Sequence, residues 1–199
     1  STPLYSSAAS DVYKRQNCVG SELNPLAISS AERIISENRH LSGKITIRKQ
    51  SNPAHIFSGI IQSGEFFDMT LCNPPFHESA LAALEGSKRK VKNLTGKASE
   101  KPDLNFGGQA AELWTEGGEL AFVRKMIQES LNFKSQVFWF TSLISKSENL
   151  KPLQHQLENA GVEIQKVIEM AQGNKKSRFL AWTFLNSKQQ DAWNKYRWA

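Results

Sequence analysis

Phe66-Phe67-Asp68-Met69-Thr70-Leu71-Cys72, running into Asn73-Pro74-Pro75-Phe76-His77, is the stretch on which the fold of this chain turns. The first seven residues read as a buried strand, and the next five end it. Two consecutive prolines hold φ at about −65° and remove two backbone donors, so the turn is stiff and presents carbonyl oxygens. The side-chain oxygen of Asn73 and the carbonyl of Pro74 are placed to accept both hydrogens of one amino group. Phe76 offers a flat face to the ring that carries it. The plain alternative is that the prolines simply end a strand, as proline does in any sheet. His77 has no second His or Cys at ligand spacing, so it reads as a loop-packing residue and no metal site is expected.

Working outward, Asn17 to Glu22 looks like the tail of a short buried strand that ends on an acid. Asn24 caps a helix with Pro25 at its first position. Leu26, Ile28, Ala31, Ile34 and Ile35 give that helix one apolar face. Lys44 to Lys49 alternates as a strand, and His55 to Ile61 is an apolar run of either type. Beyond His77, Ser79 to Glu85 fits a short helix, and Gly86 to Lys101 carries Lys88, Arg89, Lys90, Lys92, Lys97 and Lys101 against the single acid Glu100. Such a composition does not bury itself, and a mobile basic insert is expected at about 86–104. Regular structure resumes with a helix from Glu119 to Leu131 and a strand from Gln136 to Thr141. Asn149 then caps a helix that Gly161 ends. Val162 to Met170 and Phe179 to Leu185 are strands with only Ala171 to Arg178 between them, too few for a helical crossover, so they run antiparallel. Trp139 and Trp182 fall inside strand patterns and read as core.

Alternation of strands and helices closed by a hairpin implies an α/β fold: a doubly wound, mostly parallel sheet with its last strand reversed. Ligands of such sheets bind at the carboxyl ends of the strands, where Glu22 and Asn73 both fall. The 199 residues suffice for one domain, and 39% hydrophobic with 22% charged residues are globular values. A net charge of +6 favours a polyanionic partner without identifying it. Cys18 and Cys72 are too few for a disulfide framework and read as buried thiols of a reducing compartment. No apolar run approaches the ~18 residues of a membrane span. A cytoplasmic, soluble monomer is expected. Residues 1–16, rich in Ser and Ala and without periodicity, read as a disordered or non-native leader, leaving 17–199 as the folded part.

Four segments in order carry a family resemblance: Asn73 to His77, Asn105 to Val123 (NFGGQAAELWTEGGELAFV), Phe138 to Lys146 (FWFTSLISK) and Met170 to Phe184 (MAQGNKKSRFLAWTF). Together they resemble the RlmF-type 23S ribosomal RNA adenine-N6 methyltransferases, over roughly residues 17–186. The resemblance implies a class I fold dependent on S-adenosylmethionine (SAM), acting on the exocyclic N6 of an adenine in 23S ribosomal RNA or a large-subunit assembly intermediate. It makes Asn73, Pro74, Pro75 and Phe76 the catalytic turn, with Asn73 also at the cofactor. Glu22 becomes the acid that accepts from the SAM ribose hydroxyls, and His55 to Ser58 lies where the cofactor's adenine is held. By their charge, Lys88, Arg89, Lys90 and Lys92 in the insert, with Lys175, Lys176 and Arg178 in the final hairpin, are candidate RNA contacts, the plain alternative for the insert being an ordinary solvated loop. The family's first strand and glycine-rich turn have no counterpart before Glu22, since residues 1–16 contain no glycine. The expectation is a domain that enters the fold at its second strand. Two alternatives stand beside this reading: a guanine-N2 methyltransferase with the same turn, and an RNA-binding fragment without activity.

Overall fold

The computed structural model describes residues 17–75, 77, 115–172 and 175–198, which fall into two units divided between Ser63 and Gly64. The leader 1–16 and the basic insert lie outside the described residues. In the first unit, β1 (Cys18–Glu22) and β2 (Ile45–Lys49) pair in parallel, with Cys18 opposite Ile45 and Glu22 opposite Lys49. Helix α1 (Pro25–Glu37) crosses between them. Its start follows the expected chemistry: the Asn24 side chain accepts from the Leu26 N–H at 2.9 Å, and Pro25 takes the first position, where no N–H is needed. The apolar stripe is less well covered than its spacing suggests. Ile28, Ala31 and Ile35 are half-buried, while Leu26 is 73% exposed and Ile34 also faces solvent. A two-stranded sheet is narrower than the stripe it meets. The run His55 to Ile61 forms turns, pinned by Arg48 Nη1 on the Ile60 carbonyl (2.6 Å) and Gln50 Nε2 on the Ser58 carbonyl (2.9 Å).

The second unit holds a four-stranded sheet in the order β3-β4-β6-β5, built from β3 (Phe67–Met69), β4 (Val137–Ile144), β5 (Ile164–Gln172) and β6 (Lys175–Thr183). β3 and β4 are parallel, and β6 runs antiparallel to both β4 and β5. The reversed hairpin is as expected but tighter, because Gln172 pairs with Lys175 and the strands consume most of the segment read as its loop. β4, flanked on both sides, is buried on both faces, as an interior strand must be. β3 is different from its reading as a buried strand. Among the described residues it pairs only with β4, and Phe66, Met69 and Leu71 remain largely exposed. Apolar content alone does not distinguish an edge from an interior strand.

Helix α2 (Gly118–Ser130) lays Val123, Met126 and Ile127 into the core, and α3 (Leu150–Asn159) adds Leu153 and Leu157. Phe140 and Ile144 of β4 and Leu180 and Trp182 of β6 are fully buried as well. The Phe140 and Trp182 rings stack with centroids 5.7 Å apart, and Trp182 Nε1 donates to Ser130 Oγ at 3.1 Å. Gly161, at φ 71°, ends α3 as expected.

A C-terminal segment that the sequence reading did not foresee follows β6: α4 (Ser187–Trp193) and a π-helical turn, Asn194–Trp198. Asn186 and Gln189 form a reciprocal capping box at its start. Three of its side chains converge on one carboxylate of β3. Asp68 Oδ1 accepts from Trp193 Nε1 (2.7 Å), Trp198 Nε1 (2.9 Å) and Arg197 Nε (3.0 Å). Burial pushes the Asp68 carboxyl up, but hydrogen bonds from Arg197, Trp193 and Trp198 and the charge of Arg197 outweigh it, and the group lies below its ordinary 3.8. A depressed carboxyl stabilises fully above its unfolded value and loses that contribution as pH falls through the folded one. Acidification below about pH 4 is therefore expected to release the segment, with a red shift in tryptophan emission. In Asp68→Ala the released spectrum is already present at pH 7 and the acid step disappears.

Candidate active site

Strand pairing continues past Met69 by other means. Thr70 N–H donates to the Trp139 carbonyl (2.9 Å), Thr141 Oγ1 donates to the Thr70 carbonyl (2.6 Å), and Leu143 N–H donates to the Cys72 carbonyl (2.9 Å). The chain is thus held to β4 up to the residue before Asn73. There it leaves the sheet. Asn73 is exposed, Pro74 is buried and Pro75 half-buried. The buried proline anchors the turn and the amide beside it stands free, with no hydrogen bond among the described residues. Phe76 lies outside the described residues. The turn's far end is fastened too, since the His77 carbonyl accepts from Thr115 N–H at 3.0 Å.

Cys72, at the end of this pairing, is half-buried. Burial pushes its thiol up to about 11, against a smaller opposing pull from a hydrogen bond with Ser142. Cys18, in contrast, is exposed at the start of the edge strand β1, which corrects its reading as a buried thiol. Edge position, not apolar context, decides its access. Alkylation with iodoacetamide at pH 8 should modify Cys18 about a hundredfold faster than Cys72, read by peptide mass spectrometry.

Glu22 closes β1, as expected, and belongs to the first unit, while Asn73 belongs to the second. Its Oε1 accepts from the N–H groups of Leu23 (2.7 Å) and Asn24 (2.8 Å), which fixes the carboxylate at the strand's end. Oε2 accepts nothing among the described residues and suits a hydroxyl donor. Near His55 to Ser58, Phe57 is buried and the Ser58 carbonyl is taken by Gln50.

The cations divide. Lys88, Arg89, Lys90 and Lys92 lie outside the described residues. Lys175 and Lys176 begin β6 instead of lying in a loop, and Arg178 pairs across from Ile144 on one side and Glu169 on the other. The Arg178 side chain is only 17% exposed, with Nε 3.9 Å from Glu169 Oε1, so it offers a fixed contact near the end of β4. No cluster of His, Cys, Asp or Glu able to hold a metal occurs among the described residues. No described helix is long and apolar enough to cross a membrane.

One residue of the region escaped the sequence reading. Glu119, in the first turn of α2, is 2% exposed and accepts from Ser145 N–H (2.7 Å), Ser145 Oγ, Asn149 Nδ2 (2.8 Å) and Lys146 N–H (3.3 Å). Asn149 stands at the N-cap position of α3, as expected, but its Nδ2 goes to Glu119 and its side chain makes no cap bond to the helix. A buried carboxylate needs such a set of donors. The available signal was an acid directly after Gly117-Gly118, both at positive φ, with the polar run Ser145 to Asn149 to receive it.

Comparison with known proteins agrees with the motifs. A family model described as RNA methyltransferase matches residues 12–186. Ribosomal RNA large subunit methyltransferase F of Shewanella loihica is 51% identical over 187 residues, covering 90% of this chain and 47% of its own length. The protein of that name from Salmonella newport is 55% identical over 172 residues, covering 86% of this chain and 55% of its own. The chain therefore spans about half the length of the curated relatives it matches. Among solved structures, the hMettl16 catalytic domain in complex with MAT2A 3'UTR hairpin 1 is similar with a TM-score of 0.65 at 26% identity, covering 85% of this chain and 56% of its own. The N-terminal domain of human METTL16 in complex with SAH gives 0.58 at 24% identity, with 84% and 52% covered, a likeness of fold alone. The α/β architecture with its mixed sheet is that of a class I methyltransferase. With a family model matched across most of its length and relatives more than half identical, the chain belongs to the RNA methyltransferase family.

Proposed function

We propose that this chain carries the acceptor-base site of an enzyme that methylates the exocyclic N6 of an adenine in 23S ribosomal RNA, with SAM as donor. The observation that carries the reading is the Asn73-Pro74-Pro75 turn, anchored by a buried proline and fastened at both ends, with the Asn73 amide exposed beyond the sheet. The lone pair of an exocyclic adenine nitrogen is delocalised into its ring, so the nitrogen is a weak nucleophile. Two acceptors, Asn73 Oδ1 and the Pro74 carbonyl, bind its two hydrogens and draw it toward a tetrahedral shape. No strong base is required for this, because the nitrogen becomes acidic as the new bond forms and releases its proton to solvent water. A stiff turn keeps the acceptors in place without reorganisation, and alignment supplies much of the rate. Phe76 stacks on the base, offsetting part of the cost of taking it out of its helix. SAM, when bound, supplies the methyl group. Glu22 Oε2 receives a ribose hydroxyl of that donor, with the carboxylate oriented by Leu23 and Asn24. Lys88, Arg89, Lys90 and Lys92, with Lys175, Lys176 and Arg178, neutralise RNA phosphates, which makes affinity fall with salt.

The test is product analysis. Unmethylated 23S ribosomal RNA is incubated with the protein and labelled SAM, digested to nucleosides and separated. N6-methyladenosine is the expected product. N2-methylguanosine would reassign the turn to guanine. No methylated nucleoside, together with RNA binding that is salt-dependent but indifferent to SAM and to Asn73→Ala, would leave only an RNA-binding module.

A further inference from the structure

We infer that Glu119 is a positioning residue for the Asn73-Pro74-Pro75 turn, holding it through a closed circuit of hydrogen bonds; the inference rests on the reading of that turn as the acceptor site. The circuit can be followed from either end. At one end, the Cys72 carbonyl accepts from Leu143 N–H at 2.9 Å. At the other, the His77 carbonyl accepts from Thr115 N–H (3.0 Å), and the Thr115 carbonyl accepts from Gly118 N–H (2.8 Å). Glu119 follows Gly118 directly, and its carboxylate takes the Ser145 N–H at 2.7 Å. Ser145 lies two residues beyond Leu143, and the ring is closed.

Every other link in this ring is covalent chain or a main-chain hydrogen bond. Only the one between Glu119 and Ser145 runs through a side chain. It is therefore the link that a single substitution can cut. The carboxylate is also the right group for it, since its two oxygens provide about four acceptor sites and four donors converge on them. Oε2 takes both groups of Ser145, and Oε1 takes Asn149 Nδ2 and the Lys146 N–H. An amide at 119 would set an NH2 group against donors on one side. The left-handed glycines Gly117 and Gly118 let the chain turn sharply enough to bring the Thr115 turn and the carboxylate together, with φ of 73° and 61°.

Amide hydrogen exchange resolved by residue tests the circuit directly. In Glu119→Gln the amides of Thr115 and Leu143, which fasten the two ends of the turn, should exchange at least ~tenfold faster while those of Phe140 and Leu180 stay unchanged. The double variant Glu119→Gln with Asn149→Asp should restore slow exchange, because the new amide then donates to the carboxylate introduced at position 149 and its oxygen still accepts from Ser145. In methyl transfer the single variant should lower kcat ~tenfold or more and leave KM for RNA within about twofold, as expected of a misplaced acceptor site. Unchanged exchange at Thr115 and Leu143, or a rise that only keeps step with the core amides, overturns the inference. Asn73→Ala separates the two ideas: it should leave exchange at Thr115 and Leu143 as it is and lower methyl transfer by about 10²–10³ in kcat. Full transfer in that variant would overturn the acceptor-site reading while the exchange data still decide the circuit.

Discussion

Asn73→Ala is expected to reduce methyl transfer by about 10²–10³ in kcat, the size seen when one preorganised hydrogen-bonding group is taken from a reacting centre. KM for RNA should change little, since on the proposed reading the amide would meet only the amino group and its loss would leave the phosphate contacts intact. Stability should not change measurably either. The side chain is exposed and makes no hydrogen bond among the described residues, so its loss opens no cavity and strands no donor. Asn73→Asp retains an acceptor in the same position and should keep more activity than the alanine variant. Single-turnover methylation of unmodified 23S ribosomal RNA measures both, and equal rates for wild type and Asn73→Ala would remove this residue from the mechanism.

The largest effect on stability should come from Trp182→Ala. Trp182 is fully buried, stacks on Phe140 of the neighbouring strand and donates to Ser130 at the end of α2, so it joins sheet to helix. Emptying a tryptophan site costs about 3–5 kcal/mol. Against the roughly 5–15 kcal/mol that typically holds a folded domain, that is close to unfolding. Trp182→Phe keeps most of the packing and loses the indole N–H, leaving Ser130 Oγ without its donor; about 1–2 kcal/mol is expected. Urea titration followed by circular dichroism orders the three proteins. A midpoint for Trp182→Ala within error of wild type would mean that the sheet and helix are not joined there.

Local chemistry made much of this legible in advance. Asn24-Pro25 announced α1, the helix expected from Glu119 to Leu131 formed as α2, and the short link between the last two strands dictated their antiparallel pairing. The Asn73-Pro74-Pro75 turn was legible for a related reason, since two prolines after an Asn have strong conformational consequences by themselves. What stayed hidden depends on partners far away in sequence. Asp68 shows nothing of Trp193, Arg197 and Trp198, more than a hundred positions later. Asn149 stands where a cap belongs, but its Nδ2 donates to the distant Glu119, because a buried carboxylate needs donors, and its side chain makes no bond to the helix. Exposure of Cys18 and Met69 likewise follows from which strands lie at an edge, and strand order is not a local property.

The pairing of β3 with β4 has a consequence in time. The hydrogen bonds between Thr70 and Thr141 bridge 71 positions, while the β5–β6 hairpin closes over the few residues between Gln172 and Lys175. Closing the longer loop costs more chain entropy and comes later in folding. A nascent chain lengthening at about 5–20 residues per second must wait roughly 4–14 s between making Thr70 and making its partner. Until then nothing fastens the Asn73 turn to β4. On the acceptor-site reading proposed above, activity would await completion of the sheet, and the first turnover of a newly made molecule would be a clock for its folding.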